Sequence, residues 1–112
     1  MKLPNAEQAV IDIAKLRDYC LNLSHPTGKH KARVFASVVG ITSVDAERLR
    51  TMILEAVIQN EAIAGLSDGH GERYTVDFET QGLRDIVIDR TAWILRFGEE
   101  KLRLVSCFVK RD

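Results

Sequence analysis

The spacing of apolar residues changes period once along this 112-residue chain, and that change limits the folds open to it. From Ile13 to about Asn60 apolar side chains recur at helical intervals, and from Arg73 to Lys110 they alternate as in strands. Helices first and an antiparallel meander after them make an α+β domain. The expectation is N-terminal helices packed on one face of a C-terminal antiparallel sheet of three to four strands. No repeat or low-complexity linker divides the halves. Residues 1–112 are read as a single domain, helical over about 5–60 and a meander over about 72–110.

Local signals place the elements. Asp12 can cap a first helix through Lys15, Leu16, Tyr19 and Cys20, with Asn22 near its end. Asn5 followed by Gln8 offers an earlier start, and Ala9–Ile11 is alternatively a short edge strand. Ser24-His25-Pro26-Thr27-Gly28 is a turn, because Pro fixes φ and Gly accepts a positive φ. A second helix spans about Lys29–Val39, with Ala32, Phe35, Ala36 and Val39 on one stripe and Gly40 placed to stop it. Ser43 begins a third, whose Leu49, Met52, Ile53 and Ala56 repeat the spacing. Gly65, Asp68, Gly69 and Gly71 mark a loop, and His70 within it reads as a surface turn residue. Tyr74, Val76 and Phe78 then alternate with Thr75, Asp77 and Glu79 as a half-buried strand, ended by a turn at Gln81-Gly82. Ile86–Phe97 is one long bent strand or two short ones, Gly98-Glu99-Glu100 a hairpin loop, and Leu102–Val109 the last strand.

Composition matters chiefly through charge. Sixteen Lys and Arg balance sixteen Asp and Glu, which argues against a strongly basic nucleic-acid coat or a polybasic membrane binder. The total conceals an asymmetry. The 26 residues from Tyr19 to Val44 hold no acid but carry Lys29, Lys31, Arg33, His25 and His30. On the second helix His30, Arg33 and Ser37 share the face opposite the apolar stripe, and Lys29 and Lys31 flank that stripe. Gly28 would leave first-turn N–H groups accessible, so this helix start fits a phosphate. The same residues also suit a plain solvated face, although cations are mildly unfavourable at a helix N-terminus.

Other chemistries lack their motifs. Cys20 and Cys107 stand far apart and read as buried thiols with no nearby base. His25 and His30 have no cysteine ligands beside them, and there is no HExxH or CxxC spacing, so no metal is expected. P-loop, Rossmann and GxSxG patterns are missing too, and no cofactor is expected. No apolar stretch approaches the roughly 18–20 residues of a membrane span. Met1-Lys2-Leu3-Pro4-Asn5 lacks the apolar core of a secretory leader, and the expected compartment is the cytoplasm.

The segment His25-Pro26-Thr27-Gly28-Lys29-His30-Lys31-Ala32-Arg33-Val34-Phe35 resembles an HPxGxxKAxxF signature. That signature belongs to a family of small bacterial domains, some standing beside small antitoxin genes and others ending large secreted polymorphic toxins. The similarity extends to Leu16-x-x-Tyr19, Gly71-x-Arg73-Tyr74, Thr91-Ala92-Trp93-Ile94 and Arg103-Leu104-Val105-Ser106. The order of helices and meander is also similar to the barnase–EndoU–colicin–RelE group of metal-independent ribonucleases. That resemblance implies a His or Lys among His25, Lys29, His30 and Lys31 facing Arg73, Thr91, Trp93 and Ser106 on the sheet.

The activity implied is attack of an RNA 2′-hydroxyl on its own 3′-phosphate, restrained by a small antitoxin or immunity protein. His25 or His30 suits proton transfer because imidazole titrates near neutrality. Lys31 and Arg73 suit charge stabilisation, and Thr91 and Ser106 suit holding a phosphate oxygen. Lys29 and Arg33 would grip the substrate, with Tyr74 or Trp93 stacking on a base. Tyr74, Trp93 and Ser106 equally suit plain packing positions. The rival reading is a noncatalytic binding or immunity-type module that engages nucleic acid or an acidic protein through the basic helix.

Overall fold

The computed structural model describes residues 1–110; Arg111 and Asp112 lie outside the described residues. Three helical segments precede a four-stranded antiparallel sheet of order β1-β2-β3-β4, an α+β architecture.

Helix α1 (Ile13–Lys15) starts where the Asp12 carboxylate accepts the Ala14 N–H at 3.0 Å, and it widens into a π-helical turn over Leu16–Cys20. Upstream, Asn5 adopts φ 50° ahead of a 3-10 turn over Ala6–Gln8. The edge-strand alternative holds for one residue only: Val10 pairs in parallel with Arg103. Lys2 pairs with Glu61 beside β1, so the N-terminal segment touches both outer edges of the sheet. Its Leu3, Ala6 and Ile11 are buried on the way.

Helix α2 (Lys29–Val34) continues as a π-helical turn over Phe35–Val39 and stops at Gly40, whose φ of 75° favours glycine. Helix α3 (Ala46–Gln59) follows a 3-10 turn over Ser43–Asp45, opened by a capping box in which Thr42 N–H donates to Asp45 Oδ2 at 2.9 Å. It buries Ala46, Leu49, Ile53 and Val57 against the sheet's inner face.

Strand β1 (Ala62–Asp68) corrects the expected loop: the true connection is only Gly69-His70. Alternation gave no signal because Ile63 and Leu66 are 68% and 85% exposed and only Ala62 is buried. Strand β2 (Gly71–Gln81) buries Tyr74, Val76, Phe78 and Thr80. It pairs along its whole length with β3 (Ile86–Arg96), which is one strand rather than two. Strand β4 (Arg103–Lys110) completes the sheet, with a register shift beside Ala92 and Trp93 of β3. Across the core-facing row Val76 lies opposite Thr91 and Thr91 opposite Cys107. On the outer face Arg73 lies opposite Ile94 and Ile94 opposite Arg103. Among the described residues no helix is long and apolar enough to cross a membrane.

Candidate functional site

The turn before α2 is built around His25. Its Nδ1 accepts the backbone N–H groups of Thr27 at 3.1 Å and Gly28 at 2.9 Å, while its carbonyl accepts Lys29 N–H at 3.1 Å. A neutral imidazole accepting at Nδ1 carries its proton on Nε2. The phosphate seat expected at this helix start is therefore already filled by the His25 side chain and carbonyl. Gly28 also differs from expectation, since its φ is −76° and not positive. Its lack of a side chain matters for closeness: a Cβ there would lie 2.3 Å from the Tyr19 carbonyl oxygen. The turn is thus pressed onto α1, where the Tyr19 ring meets the His25 ring edge-on at 4.9 Å. Lys31 extends the contact, donating to the Tyr19 hydroxyl at 3.0 Å with its ammonium 5.8 Å from the Phe108 ring centre on β4.

A groove of about 480 Å³ opens beside this junction, lined by Asp12, Lys15, Asp18, Tyr19, His25 and Ser106. It adjoins a second groove of about 440 Å³ that shares Asp12, Lys15 and Val105 and is lined further by His70, Arg73, Arg96 and Arg103. His25 and Ser106 thus stand in one groove, with Arg73 in its extension. Arg73 donates to Asp68 at 3.0 Å and Arg103 to Glu99 at 3.1 Å, which fixes both guanidinium groups. The His70 backbone N–H and then Arg73 hold the Asp68 carboxyl below the usual carboxylate range. Lys15 and Arg96 form no ion pair among the described residues.

Several expected site residues fall elsewhere. Thr91 and Trp93 are 0% and 1% exposed. Trp93 Nε1 donates to Thr91 Oγ1 and Thr91 donates to the Val76 carbonyl, each at 2.8 Å, so both side chains belong to the core and cannot touch a bound RNA. Tyr74 is buried with its hydroxyl donating to Glu72, so it offers no stacking face. His30 and Arg33 are exposed on α2 and line neither groove, and Lys29 is half-buried outside both. The basic stripe of the helix is not the wall of the cleft.

Residues not singled out as site candidates replace them. Tyr19, Asp12 and Lys15 come from α1, and Arg96 and Arg103 from outward positions on β3 and β4. The outward alternation of Arg73, Ile94 and Arg103 was present in the sequence, but alternation alone does not align three strands. His70 is exposed, as a turn residue is, and also lines the groove.

Two buried groups stand apart from this site. Cys107 N–H donates to Cys20 Sγ at 3.4 Å, and both thiols are free and buried. The Cys20 sulfur beside it, together with burial, pushes the Cys107 thiol up. Asp89 accepts from Thr80 at 2.8 Å through one oxygen while its other oxygen is buried without a partner, and burial pushes its carboxyl up to about 6. Among the described residues no group of three His, Cys, Asp or Glu side chains is placed to hold a metal ion.

Fold and groove together define a small α+β domain whose α1–α2 junction opens onto a basic outer sheet face. The chain belongs to the family described as Domain of unknown function (DUF6883), whose model matches residues 2–111. Comparison with curated proteins and with solved structures returns no match.

Proposed function

We propose that this domain is a ribonuclease toxin that needs no metal, acting in the cytoplasm and restrained by a small antitoxin or immunity protein. One observation carries the reading: His25 and Ser106 line a single groove that runs on to Arg73. The reaction is transesterification. The O2′–P bond forms as the 2′-hydroxyl loses its proton, and the P–O5′ bond breaks as the 5′-oxygen gains one, leaving a cyclic phosphate.

Asp12, the carboxylate that lines both grooves, takes the 2′-hydroxyl proton in this reading, while the His25 Nε2–H donates a hydrogen bond to the departing oxygen, which takes its proton from water. Arg73 and Lys15 counter the charge that builds on the phosphate, and Ser106 holds one of its oxygens. Lys31 acts through Tyr19, fixing the hydroxyl against which the His25 ring is set.

The test is induced expression of wild type beside His25→Asn, with growth and total RNA followed together. Asn keeps a side-chain acceptor for the turn N–H groups but has no imidazole Nε2–H. Wild-type arrest with RNA fragmentation, relieved by His25→Asn, supports the reading; intact RNA under wild-type expression ends it. A noncatalytic RNA-binding module is the second reading. It is favoured by the structural work His25 Nδ1 already does in its own turn, and it gives RNA retention by purified protein without cleavage.

A further inference from the structure

The proposed chemistry leaves Cys20 and Cys107 unused, although they are the two cysteines of the chain and meet in its core. They stand 87 positions apart, yet the Cys107 N–H donates to Cys20 Sγ at 3.4 Å. Cys107 Sγ is three bonds from that nitrogen, so the two sulfurs share one small region. Both residues are 0% exposed. Neither lines the His25 groove, but each follows a residue that does: Cys20 follows Tyr19 and Cys107 follows Ser106. The pair therefore lies behind the seam where α1 and its π-helical turn dock on β4.

A thiol packs as a small apolar group, and what two adjoining thiols add to packing is the capacity to join. These two are unequal. The Cys107 thiol and backbone N–H, with the Lys31 and Lys15 ammonium groups beyond them, hold the Cys20 thiol below its ordinary value against the effect of burial. Cys20 and burial push the Cys107 thiol up. Cys20 is thus the nucleophile of the pair and Cys107 the resolving thiol.

We infer that Cys20 and Cys107 form a redox pair, which a hydroperoxide closes into an intrachain disulfide that ties α1 to β4. Nothing in this pair depends on RNA. With hydrogen peroxide, the Cys20 sulfur forms an S–O bond as the O–O bond breaks, and the thiol proton leaves with the departing oxygen as water. The Cys107 sulfur then attacks that sulfenic acid. The S–S bond forms, the S–O bond breaks, and the Cys107 proton leaves in a second water. The two thiols give up two electrons, and one peroxide takes them. Burial sets the rate of the first step: hydrogen peroxide is little larger than water, and Cys20 is reached when residues 13–20, a short segment, open locally. A reducing compartment keeps the pair open.

Hydrogen peroxide added to the purified full chain tests the pair, followed by maleimide labelling in denaturant, intact mass and thermal melting. Before treatment both thiols label. After it neither is expected to label, the mass falls by two hydrogens, and dithiothreitol restores both thiols. The melting temperature of the oxidised protein is expected to rise by roughly 8–16 °C, because closing so long a loop removes conformations from the unfolded chain. Cys107→Ala, whose backbone keeps the N–H that faces Cys20, is expected to stop at a sulfenic acid that dimedone traps, with no rise in melting temperature. Cys20→Ala is expected to leave Cys107 unoxidised under the same treatment.

Two thiols still labelling after a treatment that oxidises the guanidinium-unfolded chain overturn the pair. So does a bridge between two chains, seen as a dimer on a non-reducing gel, or oxygen added at one cysteine with the other left free. An intrachain bridge with an unchanged melting temperature overturns the tie between α1 and β4. The wild-type measurements decide each of these even where an alanine variant does not fold.

Discussion

Two concave regions of this molecule can be set side by side. The larger, about 780 Å³, lies between α3 and the part of β2 that β1 does not reach; Arg48, Glu55, Asp77, Glu79 and Gln81 are among its lining. The smaller pair, about 480 and 440 Å³, lies between α1, the His25 turn and the outer sheet face. Size favours the first and chemistry the second. In the larger groove one cation, Arg48, stands among the carboxylates Glu55, Asp77 and Glu79, and Asp77 is already paired with Arg90 at 2.8 Å. In the smaller pair, an imidazole, a hydroxyl and a run of cations from four elements converge. A polyanion is recognised by the sign and fixity of charge, not by room.

The sharpest way to break this comparison is at His25. His25→Asn is expected to lower RNA cleavage by roughly 10²- to 10³-fold, the ordinary contribution of a positioned hydrogen-bond donor, while the urea midpoint stays that of wild type. Asp12→Asn should fall in the same range with α1 intact, because Asn caps a helix as well as Asp. Activity within threefold of wild type in either variant would move the chemistry away from the α1–α2 junction.

A second contrast concerns burial behind each groove. Thr80 lines the larger groove, and the carboxyl it bonds, Asp89, is 1% exposed. A folded-state value of about 6 against an ordinary 3.8 means the native state holds this proton more tightly than the unfolded chain does. Stability from this group is therefore full at low pH, is lost as pH rises from about 3.8 to about 6, and is flat above; the span is about 3 kcal/mol. Asp89→Asn should remove that loss, so the variant gains on wild type by up to about 3 kcal/mol above pH 6 in urea titrations run across this window. Parallel pH profiles for the two proteins would refute the assignment.

Gly28 separates closeness from flexibility. With φ at −76° an alanine suits the backbone, yet its Cβ would meet the Tyr19 carbonyl at 2.3 Å. Gly28→Ala is expected to cost roughly 1–3 kcal/mol and to pull His25 away from Tyr19, read as a shift of the urea midpoint together with loss of cleavage. The smallest effect is expected at Arg48 of the larger groove, where Arg48→Gln should leave RNA binding and cleavage within twofold of wild type. A loss there comparable with His25→Asn would put the larger groove back in contention.

Much of the fold was legible because each signal was local. Asp12 caps, Gly40 at φ 75° stops α2, and Tyr74, Val76 and Phe78 alternate into the core. Strand β1 escaped because its two faces are both solvated, so Ile63 and Leu66 follow no buried period. The site was half legible. The HPTG turn announced itself through Pro26 and Gly28, but Thr91 and Trp93, polar or aromatic on a strand, looked the same in sequence whether they faced a ligand or the core.

What the sequence determined by itself was the succession of helices and then strands, the turn at His25 and the pooling of positive charge away from Asp and Glu between Tyr19 and Val44. These are settled by backbone preference and by neighbours within a few residues. Only the tertiary structure decided which charges share a cleft: Lys15, Arg73, Arg96 and Arg103 are scattered through the sequence and meet on the outer face, while His30 and Arg33 turn to solvent. Strand register and the docking of α1 on β4 set that meeting, and both depend on contacts between residues tens of positions apart, which no local periodicity encodes.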